Sequence, residues 1–182
     1  NTDFSAGSLF DAFSDTSVAR GVYAANREVI RPLLRGGFRA VEVGGGNGRL
    51  WRGLVAPGTT GEVVVVDPHP RGADGVRAEV PASVAVTHVA APVESVKLPP
   101  ADVVIFSLTL HHVAGTDAAQ RARLGLSGPG KREVLAGVRA PVVVVNEADI
   151  HCEIDLAPHD PLLLERLCDS YVRRFAPSVA VS

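Results

Sequence analysis

Val41-Glu42-Val43-Gly44-Gly45-Gly46-Asn47-Gly48-Arg49-Leu50 is the stretch on which the fold turns. A β-branched run carries an acidic residue up to three alternate glycines, Gly44, Gly46 and Gly48, and helical character resumes at Arg49. The pattern predicts a strand, a tight turn and a helix. Glycine reaches positive φ without a Cβ penalty and lets a ligand lie directly on the backbone, which makes the turn a candidate nucleoside loop. A tight turn with no ligand is the alternative. The spacing separates nucleotide classes: a G-x-G-x-x-G dinucleotide fingerprint requires a third glycine at position 49, which is Arg49. A Walker loop requires Gly-Lys-Ser/Thr, and the two lysines, Lys97 and Lys131, lie elsewhere. What remains is E-x-G-x-G-x-G.

Upstream, Val18, Val22, Val29, Ile30, Leu33 and Leu34 fit one helical face over residues 17–34, which Pro32 should kink or end and Gly36-Gly37 should stop. Downstream, Leu50, Trp51, Leu54 and Val55 recur at helical spacing until Pro57-Gly58. A second strand over 62–66 closes on Asp67, roughly twenty residues past the loop, where an acid would grip a ribose diol. An N-cap or turn role is the plainer reading of Asp67. A short helix over 71–80 and a third strand over 83–88 follow. The run 101–113 reads as a buried strand that exits into Leu110-His111-His112. One or two helices over 117–138, broken at Gly128-Pro129-Gly130, lead to a fifth strand over 141–146, whose continuous β-branched run predicts burial on both faces. This alternation predicts an α/β, doubly wound, mainly parallel sheet with right-handed crossovers. A polar loop over 147–159 precedes a helix capped by Asp160-Pro161 and running through Leu163, Leu164, Leu167, Tyr171, Val172 and Phe175.

The glycine motif resembles the first motif of the class I S-adenosylmethionine-dependent methyltransferases, and 101–113 resembles the fourth motif of their small-molecule members. The resemblance implies a Rossmann-like methyltransferase fold and S-adenosylmethionine as cofactor, with Glu42, Gly44, Gly46, Gly48, Asp67 and Leu108 around it. Many family members carry an Asp after the third strand for the adenine amine. Here that place falls near Ala90-Ala91, so Glu94, the nearest acid, or a backbone group takes the role. The family pattern also implies an N-terminal helical segment or lid over 1–35, a cofactor-binding unit over 36–182 within one domain, and a chain short of the usual C-terminal antiparallel strand pair.

Methyl transfer from a sulfonium is an in-line displacement, so alignment matters more than a base. His111 or His112 is the candidate base, since imidazole takes a proton near neutral pH; capping or packing is the bland alternative. Glu147, a further candidate catalytic residue, sits at the neighbouring strand end, where it would flank the methyl group, and opens an acidic loop with Asp149, His151, Glu153 and Asp155. Its spacing matches no metal motif, and substrate contact through His151, or plain solvation, are its other readings. Tyr23, before the first strand, is a candidate substrate contact or a packing residue.

The 182 residues suit one domain, with 46% hydrophobic residues and a net charge of −2. No basic run suggests nucleic acid, Arg173-Arg174 reading as a solvated helix face. No apolar stretch is long enough to span a bilayer, and the N-terminus lacks signal-peptide regions, which predicts a cytoplasmic protein without membrane partners. Cys152 and Cys168 read as free thiols. The expected partner is a small-molecule methyl acceptor, in a biosynthetic, natural-product pathway, with homo-oligomerisation open. The alternative is a methyltransferase-like cofactor-binding or scaffold protein without turnover. A nicotinamide-dependent reductase is disfavoured by Arg49.

Overall fold

Runs dense in β-branched residues form five strands: β1 (Phe38–Val43), β2 (Gly61–Val66), β3 (Val84–Val89), β4 (Val103–Ser107) and β5 (Val142–Asn146). The protein is described here by a computed structural model that covers residues 17–147. The N-terminal stretch 1–16, His151 and the rest of the acidic loop after Glu147, both cysteines and the predicted helix from Asp160 lie outside the described residues. All five strands run parallel, in the order β3-β2-β1-β4-β5. The chain leaves β1 for β2 and β3, then returns to lay β4 on the opposite side of β1. Strand order therefore reverses between β1 and β4, the place where an open α/β sheet receives its ligand.

Period-two alternation divides the core into two layers. On one face Ala40, Val63, Val65, Val103 and Ile105 pack with Ala19, Tyr23 and Ile30 of helix α1 (Ser17–Ile30) and with Ala73 and Val76 of α2 (Pro70–Glu79). On the other, Val41, Val43, Val64, Val66, Val104 and Phe106 pack with Val93, Leu98, Leu110, Val113 and Val134. Each fully buried Val, Ile or Phe contributes about 1.5–3 kcal/mol. Helix α1 gives way to a 3-10 turn, Arg31–Leu33, at Pro32. The predicted break at Gly128-Pro129-Gly130 separates α3 (Ala118–Arg123) from α4 (Lys131–Ala136). Asp117 caps α3 by accepting from the Gln120 amide at 2.8 Å, and Glu133 reaches back to the Gly130 amide at 2.9 Å.

Two expectations are corrected. Leu50, Trp51, Leu54 and Val55 are all buried, but only the 3-10 turn Arg49–Trp51 forms, not a helix. Gly53 stands at φ 65°, and the Leu50 carbonyl accepts from Arg27 Nε of α1 at 2.9 Å instead of from a later amide. Helical spacing here recorded burial alone. The second correction concerns β5, expected to be buried on both faces. It is the edge of the described sheet, and Val143 and Val145 are 41% and 48% exposed, while Val142 and Val144 turn inward.

Candidate active site

The glycine loop takes the conformation that its residues permit: Gly44, Gly46 and Gly48 stand at φ 72°, 57° and 74°. The Gly44 amide still donates to the Val66 carbonyl at 2.9 Å, so β1 and β2 remain tied where the loop begins. Close packing gives Gly44 and Gly48 a second reason, and it confines Gly45 as well. A Cβ on Gly45 would come within 3.0 Å of Gly72, and one on Gly48 would enter the backbone of Gly75, so the loop lies directly on α2. A Cβ on Gly44 would strike the Thr109 side chain.

Asp67 stands at the tip of β2 beside this loop. Its Oδ1 accepts from the His69 amide at 2.8 Å, the turn role that the sequence also allowed. A Cβ on Gly72 would lie 2.9 Å from Asp67 Oδ2 and 3.0 Å from Gly45 Cα, so the carboxylate and the loop converge on one point of α2. A carboxylate next to a left-handed backbone loop at the switch point is a donor and acceptor set that fits a ribose and its substituents. His88 Nε2 donates to the Asp67 carbonyl at 2.8 Å, which holds the tip from β3.

Glu42, near the end of β1, is enclosed. It is buried at 2% exposure, and the Trp51 indole N–H donates to its Oε2. Burial, with the nearby Asp67 charge, pushes its carboxyl up to about 8, against the pull of the Trp51 hydrogen bond. It is thus a mostly protonated group at neutral pH, supporting the loop from below.

The ends of β4 and β5 meet through Glu147. One carboxylate oxygen accepts from the Thr109 amide at 2.7 Å and from the Leu110 amide at 2.5 Å. The other lies 2.7 Å from His111 Nδ1, which therefore carries the proton. The His111 side chain is 5% exposed and that of Glu147 18%. His112 is exposed, its ring centroid 4.0 Å from that of His111. Leu108 holds the left-handed φ of 53°, a strain of about 1–3 kcal/mol for a residue with a Cβ, and its amide is anchored on the Asn146 carbonyl at 2.7 Å.

The other expected residues fall further out. Glu94 lies in the 3-10 turn Val93–Ser95 after β3, with its Oε1 3.9 Å from Arg121 Nη1. Arg121 is itself buried, donating to the Ala114 carbonyl at 2.9 Å and the Ser127 carbonyl at 2.9 Å. Tyr23 belongs to the buried stripe of α1. A cleft of about 560 Å³ opens between Asn47 and Arg49 of the loop and the α2 residues Arg71 and Asp74, and no residue from the ends of β4 or β5 lines it. Thr109, Arg27 and Arg121 were not singled out from the sequence. Only Thr109, inside the quoted strand exit, sat next to a signal.

Fold and site together define an open α/β protein with a left-handed glycine loop at its switch point. Residues 41–124 match the family described as Methyltransferase domain. The match makes this stretch similar to methyltransferase domains. Similar solved structures include a SAM-dependent methyltransferase from Aquifex aeolicus, 18% identical, covering 81% of this chain and 76% of that one at a TM-score of 0.44. A SAM-dependent methyltransferase from Leishmania major is 17% identical, over 90% of this chain and 71% of that one, also at 0.44. A cyclopropane synthase from Mycobacterium tuberculosis is 16% identical over 65% of this chain, at 0.36, and the chain spans 55% of its length. No curated protein matches. Among the described residues no helix is long and apolar enough to cross a membrane.

Proposed function

We propose that the protein transfers a methyl group from S-adenosylmethionine to a small-molecule acceptor, in a biosynthetic pathway. The observation that carries this reading is the convergence of the Asp67 carboxylate and the left-handed glycine loop beside the β1/β4 switch point. When bound, S-adenosylmethionine supplies an electrophilic methyl group on a sulfonium. Asp67 accepts hydrogen bonds from the ribose hydroxyls, while Gly44, Gly46 and Gly48 let the cofactor lie close to the backbone. Backbone groups near Ala90-Ala91 serve the adenine, since Glu94 is engaged with Arg121. Leu108 lines the strand exit opposite the loop.

On the acceptor side, an imidazole that serves as base presents a ring nitrogen to the reacting hydroxyl or amine. His111 is buried and held by Glu147, so it positions the turn, and the exposed His112 is the imidazole able to receive the proton. Tyr23 and His151 stay candidate contacts for the acceptor. Alignment supplies most of the rate in such a displacement.

Calorimetry tests this reading. S-adenosylmethionine and S-adenosylhomocysteine are expected to bind and NADH not. Asp67→Ala is expected to weaken cofactor binding by roughly 1.5–3 kcal/mol, the value of a hydrogen bond to a charged group, or about ten- to a hundredfold. Absence of binding by either adenosyl compound at millimolar concentration would overturn the assignment.

A further inference from the structure

Beyond the last paired residues of β1 and β4, Val43 and Phe106, the two chains part and no ladder bond joins them. Thr109 spans this gap. Its hydroxyl Oγ1 donates to the Val43 carbonyl at 2.8 Å, across 66 positions of sequence, with the Ser107 carbonyl a second acceptor at 3.0 Å. Its methyl and hydroxyl together fill the space that a Cβ on Gly44 would need. Its own amide donates to Glu147 Oε1 at 2.7 Å, and the other oxygen of that carboxylate holds His111. One residue therefore touches the first glycine of the loop, the exit of β1, and the carboxylate that fixes the histidine turn. The left-handed Leu108 immediately before it turns the chain back over β1 and brings the hydroxyl to Val43.

We propose that Thr109 is a positioning residue that couples the cofactor loop to the turn bearing His111 and His112, so that the two move as one unit. The inference rests on the cofactor reading of the glycine loop given above. The hydroxyl has a single proton, so its bond to Val43 can yield to Ser107, and the loop is then released from the turn without unfolding either. A cofactor that settles on Gly44 acts on the histidine turn through this one side chain. The relay runs from the Val43 carbonyl through Thr109 and Glu147 to His111, and its four members come from three strand ends.

The test uses the full chain, with S-adenosylhomocysteine as the probe. Calorimetry gives the dissociation constant, and nitrogen NMR of the imidazoles gives the response of His111 to the ligand. Thr109→Val keeps the shape and removes the hydroxyl; it is expected to weaken binding about tenfold and to abolish the ligand-induced change at His111. Thr109→Ser keeps the hydroxyl and is expected to stay within about threefold of wild type, with the His111 response intact. Wild-type affinity and wild-type His111 response in Thr109→Val would overturn the coupling. So would a folded Thr109→Ser that loses affinity about tenfold, because the methyl would then carry the effect, and this outcome is readable even if the valine variant does not fold. Failure of the wild-type chain to bind any adenosyl ligand is a different result, which removes the cofactor reading and the coupling with it.

Discussion

At the scale of single residues, Glu42 and the histidine pair show how burial decides a role. Glu42 lies in the acidic place of the glycine motif, which suggested a ligand contact, yet its carboxyl is enclosed on the α1 side of the sheet with the Trp51 indole. Its pKa, raised from the ordinary 4.5 to about 8, means that the native state keeps a proton which the unfolded chain releases. The stabilisation linked to that proton is complete below about pH 4.5 and is lost as pH climbs toward 8, by up to about 1.4 kcal/mol per pH unit. Glu42→Gln keeps an acceptor for Trp51 and cannot ionise. Its melting temperature is expected to be flatter than that of wild type between about pH 5 and pH 8, and higher at the alkaline end; parallel profiles would refute the buried proton. The histidines divide in the same way. His111→Ala leaves the Glu147 carboxylate without its imidazole and is expected to cost about 2 kcal/mol in urea unfolding, whereas the exposed His112→Ala should remain within about 0.5 kcal/mol. Equal losses would place both rings in the structural role.

At the scale of elements, the glycine loop and α2 form one packed unit. Gly75 lies inside α2, where helix propensity alone disfavours glycine by about 1 kcal/mol, and it stays there because a Cβ would meet the Asn47 backbone at 2.5 Å. Gly75→Ala is therefore expected to destabilise by about 3 kcal/mol despite its better propensity. Gly53→Ala offers the contrast, since nothing lies within 4 Å of its Cβ and only its φ of 65° is strained, for about 1–2 kcal/mol. Urea denaturation of the two variants measures the difference, and a stabilised Gly75→Ala would show that the loop and helix do not touch in solution. The missing helix after the loop belongs to this scale as well. Arg27 of α1, which reaches the Leu50 carbonyl, is an arginine among sixteen in the sequence, with no local pattern to mark it.

At the scale of the whole molecule, the alternation of β-branched runs with amphipathic segments was enough to predict a parallel sheet with helices on its faces. Each run is short, is bounded by Gly, Pro or Asp, and has a side-chain period that only a strand or a helix can satisfy, so element type is written locally. The glycine spacing and Asp67 were legible for the same reason, since a left-handed turn and a strand-tip acid are local requirements. Position along the chain said nothing about which strand would be the edge. β5 has a sequence suited to burial on both faces, and only the order β3-β2-β1-β4-β5 leaves Val143 and Val145 on its exposed side. The sequence by itself determined the strands and the loop conformation, because these follow from the φ, size and hydrophobicity of neighbouring residues. The tertiary structure alone decided that Glu42 is a buried proton carrier, that His111 is fastened while His112 is exposed, and that Thr109 bridges the loop to Glu147. Those roles depend on distances between residues up to 66 positions apart, which are set by the crossover connections and the packing of the sheet.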